Sequence, residues 1–127
     1  MMTRYEKLLA EYEDRVSVYE RPSLIDGFII DDCILINTHL TESEKLCILA
    51  EELGHYETSV GDLTFLDSIP KLKQEYRARK WGIEKICPYS TIQTAISNGC
   101  SNVYELSEEL DLSVNFLNEA LRYYNFI

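Results

Sequence analysis

The sequence predicts an α+β fold in which a small antiparallel β-sheet is followed by a pair of long helices and a set of short C-terminal ones. Three observations carry that expectation. Three stretches rich in β-formers fall within residues 16–37. Thr41 with Glu44 three residues later forms a capping box that opens a helical pattern long enough to cross a small domain. Beyond Pro88, three polar N-cap candidates each precede a short amphipathic run.

In chain order, Tyr5, Leu8, Leu9 and Tyr12 recur at helical spacing and predict an opening helix over residues 3–14. "VSVY" (16–19), "GFIID" (27–31) and "CILIN" (33–37) follow as strands. Asp31 and Asp32 make a tight turn between the last two, which implies a hairpin and hence an antiparallel sheet. The helix opened by Thr41 runs to about Glu57, and "SVGDLTFLDS" after it reads as a loop. Pro70 suits the first turn of a helix that ends near Ile86, where Pro88 prevents continuation. Ser90, Asn102 and Ser113 are the candidate caps of helices over 91–98, 103–110 and 114–124.

At 127 residues there is room for one domain. No run of about 18 apolar residues spans a bilayer, and the charged, amphipathic start lacks the apolar core of a secretory signal, so a cytoplasmic protein is expected. Cys33, Cys47, Cys87 and Cys100 are scattered without a C-x-x-C pair and read as small buried hydrophobes in a reducing compartment. A net charge of −10 repels nucleic acid and anionic membrane, leaving a protein or peptide as the natural partner.

Within the long helix stands Glu51-Glu52-Leu53-Gly54-His55, the H-E-x-x-H pattern of a zinc hydrolase with its first histidine replaced by glutamate. Residues four apart share a helical face, so Glu51 and His55 can grip one cation. Glu52 lies about 100° round the axis, where its carboxylate can act as general base toward a water that the cation activates. A catalytic site needs a third ligand. His39, the chain's other histidine, or a carboxylate can supply it, and Glu75 is the preferred candidate. Ala78 and Gly82 follow it at i+3 and i+7, and with Gly54 they would let the two helices approach closely. Each residue also has a plainer reading: paired glutamates on a helix are usually solvated, a helical histidine is more often a surface group, and Glu75 with Arg79 is an ordinary i,i+4 ion pair. The residue pattern by itself leaves the choice open.

"INTHLTESEKLCILAEELGHYETSVGD" followed by "QEYRARKWGIEKICP" resembles the ImmA/IrrE family of small metallopeptidase-like proteins from phages and mobile elements. That family shows a β-hairpin, a helix bearing H-E-L-G-H, and a second helix with E-x-x-A-x-x-F/W-A that ends near a proline. The matching positions here are Glu51 to His55, then Glu75, Ala78, Trp81, Gly82 and Pro88, and the A-E-E-L-G-H wording is similar to a phage subgroup. The resemblance implies a zincin-like, minimal gluzincin helix pair, with metal ligands at Glu51, His55 and Glu75 and the general base at Glu52. It divides the chain into a zincin-like metallopeptidase domain over residues 1–88 and a helical cap over 89–127, packed as one compact unit. The implied activity is zinc-type endoproteolysis of a helix-turn-helix repressor, which releases a mobile element from silencing. Glu51 in place of histidine makes the ligand set harder and more anionic, so manganese or another divalent ion becomes plausible beside zinc. It also opens two alternatives: His39 swings in as ligand, or the protein is a weak or inactive member that binds and sequesters the repressor.

The tail "NVYELSEELDLSVNFLNEALRYY" has the outline of a helix-turn-helix. Its charges oppose DNA binding, since Arg122 is the one basic residue after Pro88. The tail therefore reads as a packed cap that docks the substrate protein. Tyr56 and Tyr76 each neighbour a proposed ligand and are packing groups or oxyanion donors. Asp62 is a candidate for orienting His55 through its other ring nitrogen.

Overall fold

The computed structural model describes residues 1–59 and 71–127; Asp62, Pro70 and all of the expected loop but Ser59, which is helical, lie outside them. Helix α1 covers Arg4–Tyr12. Its capping box is complete: Glu6 N–H donates to Thr3 Oγ1 at 3.1 Å and Thr3 N–H to Glu6 Oε1 at 2.8 Å. Tyr5, Leu8 and Tyr12 form its buried stripe, the i, i+3, i+7 face that the spacing predicts.

Strands β1 (Ser17–Arg21), β2 (Gly27–Ile30) and β3 (Cys33–Asn37) form one sheet in the order β1-β3-β2. β2 and β3 are the expected hairpin, with Asp31 at φ 54° in the turn, a left-handed conformation that aspartate tolerates. The expectation of a wholly antiparallel sheet is corrected here. β1 pairs with β3 in parallel, Ser17 opposite Cys33 and Arg21 opposite Asn37, so the sheet is mixed. The reason lies in residues 22–26. They carry the chain past the end of β3, from Arg21 beside Asn37 to Gly27 beside Ile36, and so place β3 between its two predecessors. Crossing two strand spacings takes about 10 Å, within reach of five residues. As the central strand, β3 buries Ile34 and Ile36.

Helix α2 spans Glu42–Ser59 and α3 spans Lys71–Ile86. The Thr41 capping box forms as expected, with Glu44 N–H to Thr41 Oγ1 at 3.2 Å and Thr41 N–H to Glu44 Oε1 at 2.9 Å. Helices α4 (Tyr89–Ser97), α5 (Val103–Leu110) and α6 (Val114–Tyr123) complete the described residues. Asn102 and Ser113 cap α5 and α6 through their side chains. Ser90 does not cap α4: the helix starts two residues earlier than expected, at Tyr89 behind Pro88, with no side-chain cap. Proline's fixed φ positions the first turn without one. Leu106, Leu112, Leu117, Ala120 and Leu121 join the same core as Leu49, Leu53 and Ile83. Arg4 draws α1, α3 and α5 together, donating to the Ile86 carbonyl and, at 2.7 Å, to the Leu110 carbonyl. Cys47 and Cys87 are buried as expected, but Cys33, at the start of β3, is exposed because its side chain points to the outer face of the sheet.

Beneath α2, Glu20 accepts from Lys45 Nζ at 2.7 Å and from the Tyr5 hydroxyl at 2.8 Å. The lysine holds the Glu20 carboxyl below the usual carboxylate range. A depressed carboxyl adds stability above its unfolded value that disappears as pH falls through the folded one. Glu20→Gln is therefore expected to be less stable than wild type at neutral pH, with the gap closing below the ordinary value of 4.5. Urea unfolding at several pH values checks this, and a gap independent of pH would remove the ionic contribution.

Candidate metal centre

Helix α2 turns its motif toward α3, and these two pack against each other more extensively than any other pair of described elements. Glycine makes the approach possible. A Cβ at Gly54 would lie 2.2 Å from the Ala78 carbonyl oxygen, and one at Gly82 would lie 3.1 Å from that of Ala50. The small residues singled out in the sequence are thus where the two backbones meet.

Across this contact Glu51, His55 and Glu75 each offer one ligand atom, all within 4.8 Å of one another. His55 Nε2 and Glu75 Oε2 are 3.3 Å apart. Ligand atoms at about 2.1 Å from a tetrahedral ion stand roughly 3.4 Å from each other, so this pair already has that spacing. Each of the three is half-buried. Burial raises the Glu51 carboxyl above its ordinary value, with Arg79 opposing and Glu75 adding to the shift.

Glu52 is buried, 8% exposed, and its Oε2 has no hydrogen-bond partner. Burial first, then the charges of Glu51 and Glu75, push its carboxyl up to about 7. An unpartnered buried carboxylate oxygen beside converging O, N and O donors is the environment a divalent first-row ion would complete. The residues present fit such an ion.

A family model for the IrrE N-terminal-like domain of the M78 peptidases matches residues 1–122. The chain belongs to the M78 peptidase family. No curated protein matches it significantly. Membership implies a metallopeptidase-type activity, a divalent metal and a protein substrate, and in this M78 chain a Glu-His-Glu group is near enough to bind the ion. No described helix is long and apolar enough to cross a membrane.

The other site candidates separate. His39 is exposed in the turn after β3, its backbone N–H donating to Asn37 Oδ1 at 3.2 Å, and it is not part of the cluster. Tyr56 packs edge-on against Tyr12, ring centroids 6.4 Å apart. Tyr76 is exposed. Arg79 does not take Glu75 as its helical partner: it meets Glu119 of α6 at 3.7 Å, while Glu75 turns to His55.

Two features around the candidate site escaped sequence reasoning. Gly27 opens β2 directly over α2, where a Cβ would lie 2.5 Å from Ile48 Cγ2 and 3.8 Å from Glu52 Cγ. A glycine at the head of a strand is a weak signal of close approach, and only the register shows what it approaches. Arg79, Glu119 and Arg122 meet beside Glu51 in a cleft of about 440 Å³. Glu119 and Arg122 are an i,i+3 pair on α6, but Arg79 stands 40 residues before Glu119, and no local pattern links it to them.

Proposed function

We propose that this chain is a metal-dependent endopeptidase that cuts a partner protein, a helix-turn-helix repressor of a phage or mobile element, with Glu51, His55 and Glu75 as zinc ligands and Glu52 as general base. The observation that carries the reading is the convergence of those three donors beside the buried, unpartnered Glu52 oxygen. The ion, when bound, supplies Lewis acidity that polarises water and the scissile carbonyl.

The chain's own residues do the rest. Glu52 Oε2 takes the proton from the attacking water and passes it to the departing amide nitrogen. Its burial keeps bulk water from competing for that proton. Gly54 against Ala78 fixes the spacing of the ligand-bearing helices. Tyr56, anchored on Tyr12, holds the α2 face in place, while the exposed Tyr76 hydroxyl is free to donate to a developing oxyanion. The four free thiols suit a reducing cytoplasm.

A second reading, sequestration of the repressor without cleavage, draws support from Glu51. A carboxylate in place of imidazole makes the ligand set harder and more anionic, which leaves a bound water less acidic and lets manganese compete with zinc. Metal analysis of the purified protein tests the ligand set. Wild type is expected to retain a stoichiometric divalent ion and Glu75→Ala to lose it. Retained stoichiometry in the variant would take Glu75 out of the set.

A further inference from the structure

Two helices contribute one regular stripe each to the cleft beside Glu51. Glu44, Cys47, Ile48 and Glu51 line it from α2, and Asn115, Asn118, Glu119 and Arg122 line it from α6. Both sets follow the i, i+3, i+4, i+7 spacing of a single helical face. The α2 stripe ends on a ligand of the candidate metal centre. From Glu44 to Glu51 it rises about 10 Å, the span of about three residues of extended chain. The α6 stripe belongs to the second helix of the helix-turn-helix outline, reached from α5 through Asp111 in the left-handed conformation. In a DNA-binding pair this helix would enter a groove, but here its polar stripe is turned to the cleft.

The charges of the cleft are of both signs, Asp26, Glu44, Glu51 and Glu119 against Arg79 and Arg122, and most are already engaged. Glu119 lies 3.7 Å from Arg79 and 3.4 Å from Arg122. Glu44 accepts the Thr41 N–H at 2.9 Å in the α2 cap, and Glu51 belongs to the ligand cluster. Asp26 remains, exposed just before β2, and a solvated carboxylate is a weak selector. Neither an acidic nor a basic chain is favoured. The unengaged groups are neutral. The side-chain amides of Asn115 and Asn118 have no hydrogen-bond partner among the described residues. Leu40, Ile48 and Phe116, only partly covered by the core on which they pack, border the same space. A peptide main chain presents an N–H and a C=O at each residue, and an asparagine amide offers both a donor and an acceptor.

We propose that α6 is the substrate-docking wall of this cleft. Asn115 and Asn118 pair with the main chain of an extended, uncharged segment of the partner polypeptide, an apolar side chain of that segment packs on Leu40, Ile48 and Phe116, and the segment leads to Glu51. The inference rests on the reading that the chain acts on a protein at Glu51, His55 and Glu75, and adds where that protein is held.

Nuclear magnetic resonance of the isotope-labelled protein, titrated with an N-acetylated, C-amidated pentapeptide of alternating leucine and serine, tests this. The side-chain amide signals of Asn115 and Asn118 are expected to shift and saturate together, while that of Asn98, at the end of α4 and outside the cleft, stays in place. Asn115→Ala with Asn118→Ala should weaken binding about tenfold, the loss of two hydrogen bonds of ordinary net strength. Asn98→Ala should leave it unchanged. Equal affinity of the double variant and wild type, with both unfolding at the same temperature, would overturn the proposal. So would a peptide that shifts no signal on α6, or tighter binding of its glutamate-for-serine or lysine-for-serine counterpart or of a single-stranded oligonucleotide. Binding is read without cleavage, so the two readings fail separately. A chain that holds the ion but ignores the peptide keeps the metal centre and loses this docking wall, and one that binds the peptide at α6 but holds no ion does the reverse.

Discussion

Glu52→Gln is expected to stop cleavage of a repressor substrate, by about a hundredfold to ten-thousandfold, while leaving complex formation intact. The amide keeps the shape of the carboxyl but cannot accept a proton at Oε2, the atom left without a partner in the fold. Gel analysis of a candidate repressor incubated with each form separates the two functional readings. If wild type and variant both form the complex and neither yields fragments, sequestration is the better account. The same variant has a second signature in metal-free protein. The Glu52 carboxyl stands at about 7 rather than its ordinary 4.5 because it is buried near two other carboxylates. Between those values the folded chain keeps a proton that the unfolded chain releases, so wild type loses stability as pH rises through that window. Glutamine does not titrate, and chelator-treated Glu52→Gln should match wild type near pH 4.5 and exceed it above about pH 7. Denaturant midpoints across that range provide the check, and parallel pH profiles would count against it.

Gly54→Ala should be among the most damaging small substitutions in the chain. On an exposed helix the change stabilises by about 1 kcal/mol. Here the new methyl would lie 2.2 Å from the Ala78 carbonyl oxygen, 2.8 Å from its carbon and 3.0 Å from its Cα. All three are backbone atoms, so no rotamer change relieves the clash and α2 and α3 must separate. Overpacking of this kind costs on the order of 3 kcal/mol. Glu51 and His55 stand on one helix and Glu75 on the other, so the separation also pulls the donors apart. Metal affinity is expected to fall about tenfold or more, the range seen when ligands lose their orientation. Thermal unfolding followed by circular dichroism, with chelator competition for the metal, reads both effects. An unchanged or raised melting temperature would mean that the helices do not meet at this glycine.

The legible parts of this protein were those governed by neighbours in sequence. Thr41 with Glu44, Asn102 and Ser113 are caps whose partners lie three residues away, and each forms as read. Tyr5, Leu8 and Tyr12 face the core because 3.6-residue periodicity fixes which side chains share a face. The pairing of Glu51 with His55 is likewise a property of one helix. Glu75 was reachable because the small residues after it pointed to a close helix contact, which Gly54 and Ala78 make.

What the sequence could not decide was set by contacts between distant segments. Strand direction in the sheet depended on which side of β3 residues 22–26 would leave β2, and hydrophobic alternation is the same for parallel and antiparallel neighbours. Arg79 had two carboxylates within reach, and helical spacing favoured Glu75. The packing of α6 brought Glu119 to it instead and freed Glu75 to meet His55. Likewise the sequence shows that Glu52 is acidic and part of the motif, but its burial, its unpartnered oxygen and its raised pKa depend on packing that lays Gly27 close to it and brings Glu75 near. Local propensities act over one helical turn, whereas desolvation and charge pairing depend on which surfaces the folded chain presses together. The motif was therefore written in the sequence, and the surroundings of its side chains were set by tertiary packing.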